Sequence, residues 1–109
     1  MKIDIVTTNA KVLNDKIFKA VGKELETWEA RNVAHTGKRF ITPIAQQYAD
    51  VVILHFEVND NNDRLRVTPH YWEGKDEPTD ALFAIVMGMF TAAILTHFSD
   101  DFSKLETTT

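Results

Sequence analysis

The sequence predicts an α+β fold, and three observations predict it. Apolar residues recur at steps of three and four over residues 9–30, which is typical of an N-terminal amphipathic helix. Two β-branched and aromatic stretches flank a polar cluster within residues 51–72, which indicates a hairpin. Residues 81–98 carry no charge and are apolar nearly all the way round, which indicates a buried C-terminal helix. We expect a small antiparallel sheet of three strands, with the 51–72 hairpin at its centre.

The composition is that of an ordinary globular protein. The 109 residues are 44% hydrophobic and 26% charged, which is enough for one domain with a real core. We assign this domain to residues 1–106 and a tail to 107–109. The net charge of −4 argues against nucleic acid or anionic membrane as a partner, since both attract basic surfaces.

The chain contains no cysteine, which excludes disulfides, thiolate metal sites and cysteine nucleophiles. The first residues do not form a secretory signal, because their apolar run is short and Asp4 interrupts it. Both observations favour a cytoplasmic location.

The first thirty residues predict a short extended segment followed by a long helix. Residues 1–6 alternate in polarity, which fits either a strand or a lead-in to the helix. Thr8 or Asn9 can cap the helix start through a side-chain oxygen. Gly22 costs about 1 kcal/mol relative to alanine, so the helix depends on tertiary packing. The apolar stripe comprises Ala10, Leu13, Ile17, Ala20, Val21, Leu25 and Trp28.

Residues 31–50 allow two interpretations. Thr36-Gly37 is typical of a turn, and 38–44 then forms a strand with Pro43 at a sheet edge or a strand end. Alternatively, Thr42 is the N-cap and Pro43 the N1 residue of a short helix that continues over 44–50. Both interpretations remain open at this point.

The register of the hairpin follows from its apolar residues. Val58 faces Leu65 and Phe56 faces Val67 when residues 60–63 form a four-residue loop. A shift of one residue would turn every apolar side chain to the wrong face. The same register places Val52 opposite Tyr71 in the core.

The other face of the hairpin carries His55, Glu57 and His70. Two imidazoles and a carboxylate are ligands for zinc or iron, so a small metal-dependent enzyme or sensor is the alternative function. Against this, Glu57 has Arg66 opposite it, and no spacing motif for a metal site is present.

Three residues of the hairpin are candidates for contact with a protein partner. Trp72 lies on the mixed face, and tryptophan is enriched at protein contacts. Arg64 and Arg66 precede it on the second strand.

The C-terminal helix begins after Thr79, a capping residue, and extends to about Lys104. Its uncharged run reaches the lower length limit of a membrane span, but the flanks are acidic and lack the positive-inside signal. Coverage by the sheet of the same chain is a second interpretation.

We favour a third interpretation, in which a second copy of the chain covers the helix. Ala84, Gly88, Ala92 and Thr96 recur every four residues and form a ridge of small side chains. Such a ridge lets two helices approach closely in a symmetric dimer. The large residues then pack on the sheet; they are Phe83, Val86, Met87, Phe90 and Ile94.

No catalytic motif is present in the chain. We therefore predict a non-enzymatic protein-binding or adaptor protein that acts as a homodimer, such as a bacterial or phage accessory protein. We expect no cofactor.

Overall fold

Two helices lie on one face of a six-stranded antiparallel sheet in the computed structural model, which describes residues 1–109. The strand order is β2-β3-β4-β5-β1-β6. In chain order the elements are β1 (Lys2–Val6), α1 (Ala10–Ala20), β2 (Trp28–Val33), β3 (Lys38–Pro43), β4 (Ile53–Val58), β5 (Arg64–His70), α2 (Asp80–His97), a 3₁₀ turn (Ser99–Asp101) and β6 (Lys104–Thr108). The α+β class is confirmed, but the expected three-stranded sheet was wrong.

The central hairpin forms in the predicted register. Phe56 lies opposite Val67 and Val58 opposite Leu65. The Asn59 side-chain oxygen closes the loop by accepting from two backbone N–H groups, at 3.0 and 2.9 Å. Pairing stops at His70, so Tyr71 does not face Val52 and is 39% exposed.

The N-terminal helix is shorter than predicted. The Asn9 side chain caps its start, accepting from the Val12 N–H at 3.1 Å. The helix ends at Ala20, because Gly22 adopts a left-handed conformation at φ +80° and the chain turns. Leu25 and Trp28 are buried as the stripe predicts, but from a turn and from β2.

Two strands that the sequence pattern did not predict, β2 and β6, lie at the edges of the sheet. β2 buries only Trp28, and this residue falls on the helical repeat of α1. β6 pairs with β1 through residues that include Thr107 and Thr108, which were assigned to a tail. The second helix therefore ends at His97 rather than near Lys104.

Of the two interpretations of residues 31–50, the strand is correct, since Lys38–Pro43 forms β3. β3 ends at Pro43, and the turn before it places Gly37 at φ +70°. Residues 44–52 form turns rather than a regular helix.

The core lies between the helices and one face of the sheet. Phe90 of α2 packs edge-to-face against Trp28 and Phe56, with ring centroids 5.8 and 5.5 Å apart. Phe18 of α1 packs against the same Phe56 at 5.2 Å. The Arg39 guanidinium covers the Phe18 ring at 4.2 Å. These contacts join both helices to β2, β3 and β4.

The prediction that α2 is buried was wrong. A single stripe of the helix faces the sheet; its buried residues are Val86, Met87, Phe90 and Ile94. The outward side has no neighbour, so Ile85 and Leu95 are 47% and 52% exposed. By length and composition the helix also qualifies as a membrane span, a criterion that core helices of soluble proteins meet too.

Candidate functional site

The face of the sheet opposite the helices is open, and it divides into a charged half and an aromatic half. Strand pairing places Asp4, Arg66 and Glu57 in one row across β1, β5 and β4. Two residues before Glu57 on β4, the next row of this face contains His55, which lies opposite Phe40 of β3.

The charged half is organised around one buried carboxylate. Asp4 is only 4% exposed and accepts hydrogen bonds from Arg66 Nε and Nη2 at 2.9 and 3.3 Å. Arg64 Nη1 lies 3.8 Å from the same carboxylate. These hydrogen bonds from Arg66 are the main cause that lowers the pKa of Asp4 below its usual value. Both arginines are thus engaged within the chain, away from Trp72.

The aromatic half contains a half-open cleft of about 420 Å³. This volume is in the range of pockets that hold small ligands. The lining comes from β2, β3, β4, β5 and the loops next to them, and comprises Val33, His35, Thr36, Lys38, Phe40, Ile53, His55, His70, Tyr71, Trp72 and Glu73.

Four rings form a continuous row along the cleft. Trp72 contacts Phe40 with ring centroids 5.4 Å apart, Phe40 contacts His55 at 5.6 Å, and His55 contacts His70 at 5.6 Å. The outer two pairs are edge-to-face, a favourable arrangement for aromatic rings. Ile53, which is 2% exposed, adds a buried aliphatic surface to the lining.

Trp72 is positioned by a carboxylate from the turn before β4. Its indole Nε1 donates to Asp50 Oδ1 at 3.2 Å. Arg31 holds the same carboxylate with two hydrogen bonds, at 2.9 and 3.1 Å, and these bonds are the main cause that lowers the pKa of Asp50. The hydroxyl of Thr42 accepts from the Asp50 N–H at 3.0 Å. Arg31 of β2 and Thr42 of β3 therefore hold Asp50 in the position from which it orients the indole.

The two histidines of the cleft are both harder to protonate than a free histidine. Burial is the largest cause that lowers the pKa of His55, followed by the charge of Lys38. Burial also dominates the lowered pKa of His70, with smaller effects of His55 and Lys38. His70 Nε2 lies 3.0 Å from the Thr68 hydroxyl. Both rings are therefore predominantly neutral at pH 7.

The proposed metal ligands come together only in part. His55 and His70 are neighbours, but no group of three or more histidine and acidic side chains in the structure is arranged to hold a metal ion. Glu57 lies opposite Arg66 in the charged half instead.

Lys38, Phe40 and Tyr71 line this site, although no sequence pattern predicted them there. Phe40 reaches His55 only because β3 pairs with β4, a long-range choice that hydrophobic patterns do not specify. Tyr71 lines the cleft because strand pairing ends one residue before it.

No protein-family model, curated protein or solved structure matches the chain. Its function is therefore inferred from the geometry of its own surfaces.

Proposed function

We propose that this chain is a small, non-enzymatic protein-binding protein that acts as a cytoplasmic homodimer. The observation that carries the proposal is the outward face of α2. This face is exposed and carries no charge from Ala81 to Phe98. Contiguous apolar surface of this kind marks contact sites in soluble proteins.

The shape of the outward face suits a second copy of the same helix. Ala84, Gly88, Ala92 and Thr96 are all exposed, and nothing lies within 4 Å of a Cβ built on Gly88. A ridge without large side chains allows close approach of two helix backbones. Ile85 and Leu95 flank the ridge and would supply the larger apolar contacts.

The helix face alone is too small for a stable dimer. Eighteen residues give a length of about 27 Å, and a strip about 10 Å wide covers roughly 270 Å² per subunit. A standard interface buries about 800 Å² per partner. The edge strand β6 would add to this area, since a groove of about 360 Å³ is lined by residues of α2 together with Thr107 and Thr109. An exposed edge strand is a template for pairing with another chain.

In such a dimer the open faces of the two sheets stay free. Trp72 and the charged half with Arg64 and Arg66 would then be presented twice to a protein partner. Arg64 and Arg66 are each 41% exposed at the side chain, so they can reach a partner while bonded to Asp4.

The dimer is tested by sedimentation of the wild type and of Gly88→Lys. We expect the wild type to sediment at twice the subunit mass of 12.4 kDa at about 50 μM. Gly88→Lys should be a folded monomer by circular dichroism, because lysine has room there and favours helix more than glycine does.

Val12→Lys is the matched control, since Val12 is a comparably exposed apolar residue at 47%, on α1. This variant should remain a dimer. A monomeric wild type at high micromolar concentration would refute the proposal, and so would equal behaviour of the two lysine variants.

A further inference from the structure

We propose that the cleft on the open face is a binding site for a small aromatic carboxylate. The proposed dimer does not enter this inference, because the cleft and the outward face of α2 are on opposite sides of the sheet. Three features of the cleft carry the proposal: the ring row, the unpaired Lys38 beside it, and a volume of about 420 Å³.

The ring row favours an aromatic guest. Trp72, Phe40, His55 and His70 already meet edge-to-face or tilted, and a further ring in the cleft would extend the same contacts. Tyr71 is 39% exposed and lines the cleft, and its hydroxyl makes no hydrogen bond within the chain. Aromatic pairs of this kind contribute beyond their buried area.

The charge in the cleft favours a carboxylate on that guest. Lys38 lines the cleft and makes no ion pair, unlike Arg31, Arg64 and Arg66 on the same face. Its ammonium is close enough to act on both histidines. Glu73 is the one acidic residue of the lining and acts on neither histidine, while Glu57, outside the lining, acts on His55 but not on His70. An anion beside the two imidazoles would therefore meet Lys38, the only lysine or arginine of the lining.

The neutral imidazoles add directional groups to this cation. Each neutral ring has one N–H donor and one acceptor nitrogen. A carboxylate accepts from such a donor and from an ammonium at the same time. The cleft thus combines one apolar wall with a few convergent polar groups, which is the usual composition of a small-ligand site.

The test is calorimetric titration of the purified protein, without any partner, with indole-3-acetate and with the neutral indole-3-acetamide. We expect the acid to bind about tenfold more tightly than the amide or better, as a charge-assisted hydrogen bond requires. Lys38→Met should weaken the acid by about tenfold and leave the amide nearly unchanged. Trp72→Leu should weaken both.

Lys23→Met, a change at an exposed lysine outside the cleft, serves as the matched control and should bind like the wild type. Equal affinity for acid and amide would overturn the proposal. Equal loss in Lys38→Met and Lys23→Met would overturn it as well, and so would tighter binding of cyclohexylacetate than of indole-3-acetate. None of these outcomes depends on the sedimentation of the chain.

Discussion

Thr42 has one of the few buried polar side chains, and its hydroxyl connects the core to the support of Trp72. The residue is 0% exposed. Its Oγ1 donates to the Val52 carbonyl at 2.9 Å and accepts from the Asp50 N–H at 3.0 Å. Asp50 has a left-handed backbone at φ +59°, which is unusual for a residue other than glycine. The hydroxyl therefore holds both ends of the turn that leads into β4.

Thr42→Val removes this hydroxyl without changing the shape of the side chain. Each lost hydrogen bond costs about 0.5–1.5 kcal/mol, and the groups left without a partner add a desolvation penalty. We expect the free energy of unfolding to fall by about 2–3 kcal/mol. For a chain of this size the melting temperature should drop by roughly 8–12 °C.

Urea unfolding followed by circular dichroism measures this loss, and the slope m should stay the same. Thr91→Val is the control. Its hydroxyl donates at 2.9 Å to the Met87 carbonyl, which is placed to accept the helical hydrogen bond as well. That variant should change stability by less than about 0.5 kcal/mol. A Thr42→Val protein as stable as Thr91→Val would refute the role of the hydroxyl.

Two further predictions concern the cleft histidines and the core. Folding lowers the pKa of His55 and His70, so the unfolded chain takes up protons first as the pH falls through about 6.5. The free energy of unfolding should therefore decrease as the pH is lowered through about 6.5. His70→Gln should make the decrease smaller, and a wild-type slope in this variant would contradict the assignment. Phe90→Ala, at a 0% exposed position, should cost about 3–5 kcal/mol in urea unfolding. Phe83→Ala, at a partly exposed position of the same helix, should cost clearly less, and equal losses would contradict the packing described for α2.

The sequence was a good guide wherever neighbouring residues decide the structure. Asn9 and Thr79 cap the two helices, because a capping side chain needs only the N–H groups of the next turn. The hairpin register followed from the alternation of Val58, Phe56 and their partners. The large residues of α2 that pack on the sheet were also predicted in the main.

The helical periodicity of apolar residues gave a wrong prediction where a helix and a turn followed by a strand would bury the same residues. Leu25 and Trp28 continue the stripe of α1 at helical spacing, yet a turn and an edge strand bury them. The edge strands have a short or weak alternation of their own. Their place in the sheet depends on partners far away in the chain, such as β1 for β6.

The sequence by itself therefore determined the helix starts, the hairpin and most of the buried residues, because these depend on local hydrogen bonds and on side-chain polarity. Only the tertiary structure decided the width of the sheet and with it the surfaces from which we infer function. A sheet packs against just one side of a helix, so the uncharged face of α2 stays exposed. The pairing of β3 with β4 places Phe40 and Lys38 beside His55 and Trp72, and long-range strand pairing of this kind is not encoded in any local pattern.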